Sequence, residues 1–450
     1  MSQAVRLYRI AGRCFKGMSQ HKSGRLVLSL LFKSVLGIQR IFHFETINDP
    51  GFAVLTGGTN VLSRNILGSL VRSVPLDSVQ RLMRETQDKI KKITEILISI
   101  DEHAIARFTR KFSIPKGFHT IRNKKMKVEM LFFAFDIVGR KLLTLISTTG
   151  DSRLAMISKK MMPTLRRRAR GSVLRLILDA GATKDYGVLL DLVNHPRQVT
   201  IVRVPRRKGY REKWESIPDN CWTRLEEKGP YKGAPPKVIH LTETETLLKA
   251  NQGDGSIYQV NVRTVVVREE GRSGKDRWHA LWVFRDNTTP AWDIICEYRQ
   301  RQHNEQRYRI LVHDAFVDTA PSGYKKNSVD PKDPDFNGNA LTLYGWIAAV
   351  ASNILEDLSH VLPKRFLHAH PRTLRRWFLN VPGEMYLGDE ALFVVLNPRR
   401  LRRVWPALIA MVNRQRIRIP WLGHRRLILS LALKNGRTDP EVPFNTKGSL

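Results

Sequence analysis

Two short apolar runs that each end on an aspartate constrain the fold of this chain most strongly. ILISID runs from Ile96 to Asp101, and SVLRLILDAG places Asp179 directly after its apolar residues. Apolar runs of this length are typical of strands buried on both faces of a parallel sheet. We expect each strand to deliver its aspartate to its C-terminal edge, so that the two carboxylates lie on neighbouring strand ends.

The segments around these aspartates predict a regular series of elements. KVEMLFFAF and KLLTLIST are typical of a β-hairpin, and a helix capped by Asp151 follows them. After the Asp179 strand come a short helix and the strand QVTIVRV. Three strands, a helix, a strand, a helix and a strand, in that order, match a ribonuclease-H-like core.

Composition divides the chain into five expected regions. These are a helical N-terminal DNA-binding region at 1–91, the first part of the core at 92–205, a β-rich insertion at 206–286, the second part of the core at 287–360, and a basic C-terminal region at 361–450. The predicted fold class is therefore α/β: a ribonuclease-H-like catalytic core with an inserted antiparallel β subdomain and helical N- and C-terminal regions.

The N-terminal region contains two short periodic segments around a proline. One covers about Ser63 to Val71, and the other begins after Pro75 with Asp77 as a plausible N-cap. Two short helices around such a turn could form a DNA-reading helix-turn-helix, or a plain helical hairpin.

The charge of the chain predicts a polyanionic partner. Lysine and arginine total 76 against 41 acidic residues, a net charge of +35. Such an excess attracts nucleic acid, because basic side chains displace the counterions condensed on phosphates. Ribosomal and membrane-surface proteins can carry similar charge, but ribosomal proteins are usually much shorter, and here the basic residues are spread through segments that are expected to fold.

Cysteine usage and hydropathy indicate a reducing compartment. Cys14, Cys221 and Cys296 form no CxxC pair, so neither a disulfide framework nor a thiolate zinc site is expected. The N-terminal residues contain no uninterrupted apolar stretch, so we expect no secretory signal. The longest apolar stretch, 341–355, is too short and too polar at its end to cross a membrane. A cytoplasmic, nucleoid-associated location follows.

A third carboxylate is predicted on a helix that starts near Pro290. Tyr298, Arg301 and Glu305 follow one another at spacings of three and four, which places them on one helix face. Phosphodiester cleavage typically uses divalent ions held by carboxylates. Glu305 could complete a site for Mg²⁺ (or Mn²⁺), with Arg301 contacting phosphate. The alternative is an ordinary surface ion pair between Arg301 and Glu305.

Three other acids compete with Asp101 for the metal. Glu102 should point to the opposite face of the strand, Asp136 falls in the hairpin turn, and Asp151 reads as a helix cap. Asp101 is therefore favoured.

Three segments of the chain resemble the DDE transposases of bacterial and archaeal insertion sequences that carry a β-rich insertion before the final glutamate. They are ISIDEHAIARFTRKFSIPKGF, LILDAGATKDYGVLLDL and EYRQRQHNEQRYRI. The resemblance covers roughly Ile96 to Leu355 and implies that Asp101, Asp179 and Glu305 are the catalytic metal ligands.

The family pattern around the glutamate is Tyr, two residues, Arg, three residues, Glu, six residues, Lys. Tyr298, Arg301 and Glu305 fit it, but Val312 stands at the lysine position. Arg307 or Arg309 could supply the missing positive charge from a neighbouring turn.

The resemblance implies a transposase that binds the terminal inverted repeats of its mobile element, pairs two ends as a homodimer, cleaves by metal-activated water and joins the 3′-hydroxyl to target DNA. The expected DNA-binding residues are Tyr298, Arg301, Arg309, Arg206, Arg207 and Lys208. Three alternatives stay open: a nuclease or resolvase with the same core, a non-catalytic DNA-binding descendant, and a ribosome-associated RNA binder.

Further basic clusters and two tryptophans could extend a DNA path. The clusters are Arg166, Arg167, Arg168 and Arg170, and Arg399, Arg400, Arg402 and Arg403. Each could equally be solvated surface. Family members use an aromatic residue in the inserted strands to hold an unstacked base, yet for Trp278 and Trp282 a core role is the favoured expectation.

Overall fold

The computed structural model of the chain contains two compact units. It describes residues 1–47, 49–87, 95–108, 114–119, 122–169, 171–228, 234–251, 257–271, 276–324 and 336–432. The sheet unit comprises the described residues of 95–108 and 114–306, and the terminal unit comprises those of 1–87 and 307–432.

The elements are numbered in chain order. The helices are α1 Ser2–Cys14, α2 Gln20–Leu36, α3 Pro50–Leu55, α4 Arg64–Ser73, α5 Leu76–Thr86, α6 Leu154–Ala169, α7 Tyr186–Val193, α8 Lys208–Glu215, α9 Ala291–His313, α10 Asn339–Val361, α11 Pro371–Leu374 and α12 Trp405–Arg414. The strands are β1 Glu95–Ala106, β2 Lys116–His119, β3 Lys124–Asp136, β4 Lys141–Thr149, β5 Val173–Leu178, β6 Gln198–Arg203, β7 Thr223–Glu227, β8 Lys237–Asn251, β9 Ile257–Glu269, β10 Arg277–Phe284, β11 Gly383–Leu387, β12 Ala391–Leu396, β13 Arg418–Ile419 and β14 Arg425–Leu431.

The sheet unit is a mixed α/β structure built on one ten-stranded sheet. Its order is β2-β3-β1-β5-β6-β10-β9-β8-β7, and β4 also pairs with β3. Only β1, β5 and β6 run parallel, and the remaining pairs are antiparallel. The parallel strands therefore lie at the centre, with α6 and α7 connecting them along the chain.

Both faces of this sheet are apolar because its strands alternate between two cores. In β10, Ala280 and Trp282 join the core that contains residues of α6 and α7, whereas Leu281 and Val283 join the core that contains residues of α9. Successive side chains of a strand point to opposite faces, so a strand covered on both sides is apolar throughout.

Two expectations for the sheet unit need correction. Strand β1 does not end at Asp101 but continues to Ala106, because β3 keeps pairing with it as far as Val128. The antiparallel strands predicted for 206–286 are present, but they form no separate subdomain. Leu281 of β10 pairs with Arg203 of β6, so the insertion extends the central sheet, and helix α8 precedes it.

The terminal unit combines the predicted N-terminal helices with the buried helix α10 and a second sheet. Helix α4 matches the expected segment and is capped by Ser63, whereas the predicted N-cap Asp77 is wrong, because Pro75 occupies the N-cap of α5 and Asp77 lies in its first turn. The expectation of a helical C-terminal region is wrong, since β11, β12, β14 and β13 form a four-stranded sheet. The apolar runs ALFVVL and LILSL favour strands there, although basic residues dominate the composition. Within the described residues, no helix is long and apolar enough to cross a membrane.

A buried ion cluster attaches α9 to the sheet. Arg175, in the middle of β5 and only 5% exposed, contacts Asp286 at 2.9 Å and Glu297 of α9 at 2.8 Å. Asp286 also accepts hydrogen bonds from the amides of Thr288 and Thr289, the residues that lead into α9. The start of α9 is thus tied to a central strand.

We expect Asp286→Asn to destabilise the protein by about 3 kcal/mol at pH 7, because it removes one partner of a buried ion pair. Burial alone would raise the Asp286 pKa, but hydrogen bonds from Thr289 and Arg175 lower it far below its usual range. A group with a lowered pKa stabilises the fold above its unfolded pKa, about 3.9, and loses that contribution as the pH falls toward the folded pKa. Urea unfolding at pH 7 and pH 3 measures both effects.

Asp185→Asn is the matched control. Asp185 caps α7 through the amide of Val188 but has no buried arginine, and asparagine caps helices as well as aspartate does. Equal losses in the two variants would contradict the assigned role of the Arg175 cluster.

Candidate active site

Pairing between β1 and β5 brings the two predicted aspartates to the same level of the sheet. Ile100 pairs with Leu178, so Asp101 and Asp179 are the next residues along their parallel strands. Asp179 begins a short 3₁₀ turn after β5, and its carboxylate accepts a hydrogen bond from the Ala180 amide at 2.7 Å. The two aspartates are adjacent even though only Asp179 stands at the end of its strand.

Helix α9 adds the third acid through an arginine that contacts all three. Arg301 Nη2 lies 3.0 Å from Asp101 Oδ2 and 3.5 Å from Asp179 Oδ2. Its Nη1 lies 3.2 Å from Glu305 Oε1, one helical turn away. The structure therefore brings together Asp101, Asp179, Glu305 and Arg301. The Arg301–Glu305 ion pair forms, but not at the surface, since Arg301 is only 8% exposed.

The site contains three carboxylates and one guanidinium, so it has an excess of negative charge. Burial raises the pKa of Asp101, and the charges of Asp179 and Glu305 raise it further, while Arg301 and the Glu102 amide oppose the shift. Burial disfavours the charge of Arg301, but the carboxylates around it raise its pKa. Exposure of the side chains increases from 18% for Asp101 to 40% for Asp179 and 50% for Glu305, so the site opens to solvent on one side.

These residues fit a divalent metal ion. Carboxylate oxygens are the ligands that Mg²⁺ and Mn²⁺ prefer, and Mg²⁺ completes its octahedron with water and phosphate. The guanidinium of Arg301 lies among the three acids, with Nη2 toward the two aspartates and Nη1 toward Glu305, so a cation is already stabilised there. The accessible side of Asp179 and Glu305 leaves a path by which an ion can enter.

Tyr298 lies mainly in the core, beside the acidic site. Its ring packs against the apolar side chains of Leu97, Ile137 and Ile177. Burial raises its pKa to about 12, and the charge of Asp179 adds to the shift. Its predicted contact with DNA stays a prediction.

The competing acids have other environments. Burial raises the pKa of Glu102, which lies near the opposing charge of Lys184. Asp136 accepts a hydrogen bond from the Gly139 amide in the hairpin turn, as predicted. Asp151 is not a helix cap, because α6 starts three residues later at Leu154 and the carboxylate bonds the hydroxyl of Thr149 instead.

The position of Val312 explains why a lysine is absent there. Val312 is 4% exposed, so a lysine at this position would bury its charge. Arg307 is buried and already has partners, since its guanidinium donates to Glu356 Oε2 at 2.9 Å and to the Ser352 carbonyl at 3.2 Å. Arg309 is exposed and stays the predicted substitute.

A second basic feature of the sheet unit involves Arg206, Arg207 and Lys208, which are exposed. They line a pocket of about 540 Å³ together with Arg211, Trp214, Asp276, Arg277 and Trp278. Trp278 is half-buried and packs edge-on against Trp222 at 5.5 Å. Trp282 is completely buried in the core, so the favoured core role holds for it, while Trp278 faces the basic pocket. Two other predicted cations serve the fold: Arg166 donates to Gln198 and Arg168 to the Leu143 carbonyl, and Arg170 lies outside the described residues.

Sequence reasoning missed the residues that position α9. Arg175 is the lone charge in the apolar run VLRLIL, and such a residue in a buried strand requires a buried acid as its partner. That signal was available, but it does not say which of the many acids would be the partner.

No protein-family model and no curated protein matches this chain. Among solved structures, the chain is similar to a piggyBac transposase in a synaptic complex with hairpin DNA. The two share 14% sequence identity with a TM-score of 0.41, over 85% of this chain and 79% of that chain.

We expect Arg301→Met to increase the apparent affinity of the protein for Mg²⁺ about tenfold or more, because the ion no longer displaces a charge-assisted hydrogen bond. In EDTA the variant should melt at a lower temperature than wild type, since the acids lose their counterion. Thermal melts across a MgCl₂ series measure both quantities.

Arg309→Met is the control for loss of one positive charge on the same helix, and it should leave the Mg²⁺ dependence unchanged. If Arg301→Met and wild type respond identically to Mg²⁺, the cation does not bind at the three carboxylates.

Proposed function

We propose that the protein is a DDE-class DNA transposase that binds the ends of its mobile element and catalyses metal-dependent strand cleavage and strand transfer. The observation that carries the proposal is the convergence of Asp101, Asp179 and Glu305 on one guanidinium. An acid triad of this kind, assembled from two parallel strands and a helix, suits metal-dependent phosphoryl transfer.

The topology of the central strands supports a ribonuclease-H-like core as the finer description of the fold. Strands β4, β3 and β1 form an antiparallel meander, and β5 and β6 then add in parallel to β1. Fold alone does not assign function. Asp101 and Asp179 lie, however, directly after the last parallel pair of β1 and β5, at the carboxyl end of β5, and this is the side of an open α/β sheet at which ligands bind.

In this mechanism the three acids would hold the metal, and Arg301 would exchange its carboxylate partners for a phosphate. When bound, two divalent ions supply activation of the attacking oxygen and stabilisation of the leaving oxygen. Asp101 and Asp179 are fixed by the sheet, and each accepts a backbone amide that orients its carboxylate. Arg301 balances the charge of the acids; if a metal ion took over that role, Arg301 would be able to contact a phosphate oxygen of the DNA, to which guanidinium is well matched.

The basic residues supply the DNA-binding part of the proposal. Arg206, Arg207 and Lys208 surround a pocket that includes Trp278, a combination that suits a phosphate backbone with a base leaving the stack. Terminal inverted repeats, target DNA and a homodimer on paired ends belong to the same proposal, with Arg309 as a further phosphate contact.

A nuclease with the same acids would cut DNA without joining it. An assay with a pre-cleaved element end and a supercoiled target separates the two activities, because only a transposase produces covalently joined products.

We expect Asp101→Asn, Asp179→Asn and Glu305→Gln each to abolish cleavage of labelled element-end DNA in Mg²⁺ while preserving DNA binding. Amides keep the shape of the side chains but lose the charge that holds the metal. Denaturing gels in Mg²⁺ or EDTA measure cleavage, and fluorescence anisotropy in EDTA measures binding.

Two controls define the specificity of that result. Asp191→Asn removes an exposed carboxylate that pairs with Lys159 on the surface, and it should cleave like wild type. Glu102→Gln removes the acid next to Asp101 in the sequence, which is not assigned to the metal, and should also cleave. Wild-type cleavage by any of the three triad variants would refute the assignment of that residue.

Removing the basic residues beside Trp278 should weaken DNA binding and reduce its salt dependence. For Arg206→Ala/Arg207→Ala we expect the slope of log K against log salt to fall by about 1 to 2, since each duplex phosphate contact contributes about 0.9. Anisotropy titrations from low to moderate salt provide the slope. The charge-matched control is Lys159→Ala/Lys160→Ala on α6, and an equal change in that variant would show only an effect of net charge.

A further inference from the structure

The terminal unit contains a second pocket with an aromatic wall and a basic rim. Its volume is about 440 Å³, within the range typical of small-ligand sites. Its lining residues are Arg376, Trp377, Asn380, Val381, Pro382, Pro398, Arg399 and Arg400. Three of these are arginines and none is acidic, so the pocket favours an anionic ligand with an apolar part.

The backbone segment that carries Arg376 and Trp377 is fixed by contacts of the neighbouring residues with the protein interior. Residues Arg375–Leu379 form a π-helical turn, a rare conformation that is frequent at functional sites. Arg375 points inward and donates to the carbonyls of Ser34 and Val35 at 2.8 and 2.7 Å. Phe378 is also buried. With these two side chains fixed inside, the intervening Arg376 and Trp377 face the pocket.

The pocket combines one aromatic ring with guanidinium groups that lie over it. The guanidinium of Arg400 lies 5.1 Å from the centre of the Trp377 ring, and that of Arg376 lies 5.9 Å from it. Pro382 and Pro398 add apolar walls with little conformational freedom. Tryptophan and arginine planes are the surfaces on which unstacked bases pack, and arginine also binds phosphate oxygens.

We propose that this pocket binds one unstacked nucleotide of a DNA strand, with its base against Trp377 and its phosphate on Arg376, Arg399 and Arg400. In a duplex both faces of a base are covered by its neighbours, so a walled pocket admits only a base that has left the stack. The net charge of +35 favours a polyanionic partner, of which nucleic acid is the one that also carries flat bases. The inference rests on the proposed function, since it takes DNA as the partner, and it adds a site for one unstacked nucleotide.

The test compares binding of fluorescein-labelled dT12 and of a blunt 12-base-pair duplex to the full chain, by anisotropy in EDTA. Trp377→Ala should weaken dT12 binding about 5- to 150-fold, the range expected for loss of one stacked base, and leave duplex binding unchanged. Trp377→Phe, which keeps an aromatic face, should recover most of the affinity. Arg400→Leu should reduce the salt slope for dT12 by about 0.7, the value for one phosphate of a single strand.

The matched control is Trp292→Ala. Trp292 is also a half-buried tryptophan with an arginine over its ring, Arg299 at 5.2 Å, but it lies outside the pocket. Melting temperatures show which variants are folded, and Trp377→Phe tests the stacking role if Trp377→Ala does not fold.

The outcomes separate this inference from the proposed function. Unchanged dT12 binding by folded Trp377→Ala overturns the nucleotide pocket, whatever the cleavage assays show. Competition by a poly-glutamate peptide that is lost in Trp377→Ala would overturn it in favour of an acidic-peptide site. Because the measurement is made in EDTA, Trp377-dependent dT12 binding supports the pocket even if the acid triad proves inactive.

Discussion

The candidate site depends on the way α9 is held against the central sheet. Arg175 stands among the buried apolar side chains of β5 and is neutralised by Asp286 at the approach to α9 and by Glu297 within it. Leaving such a cation unpaired in the interior would cost several kcal/mol, so the helix has little freedom to slide or rotate. Glu297 precedes Arg301 by one turn, and this anchoring therefore fixes the height at which Arg301 and Glu305 meet the aspartates of β1 and β5.

Arg175, which ties α9 to the sheet, and Arg301, which lies on α9, thus have different roles. Arg175 is itself buried, and it pairs with the buried Asp286, whose pKa is held far below its usual range by hydrogen bonds from Thr289 and Arg175. Arg301 binds acids that become progressively more exposed toward solvent. Breaking a buried pair leaves a buried charge without its partner, whereas Asp179 and Glu305 are exposed enough for a metal ion from solvent to reach them. The geometry therefore separates a structural ion cluster from one suited to chemistry.

The sequence predicted the parts of this arrangement that depend on local pattern. The apolar runs before Asp101 and Asp179 located two neighbouring strands, and the three-and-four spacing located Arg301 and Glu305 on one helix face. Long-range pairing was not predictable in the same way. Nothing within ILISID shows that β3 keeps β1 extended beyond Asp101, and nothing in 277–284 shows that β10 pairs with β6. The C-terminal strands are not evident from composition, because arginines dominate that region and only the short apolar runs within it favour strands.

The net charge also does not show which basic residues are available at the surface. Arg175, Arg301 and Arg307 are buried and paired with acids, so they add little to the field outside the protein. The uncompensated cations must then lie mainly at the surface, and in two places they border a tryptophan within a pocket. A uniformly basic surface would attract any polyanion, but arginines combined with an aromatic wall discriminate for a base that is free to stack. Net charge thus predicts only the class of partner, and the placement of Trp278 and Trp377 in basic pockets is what supports the proposal that an unstacked base is bound.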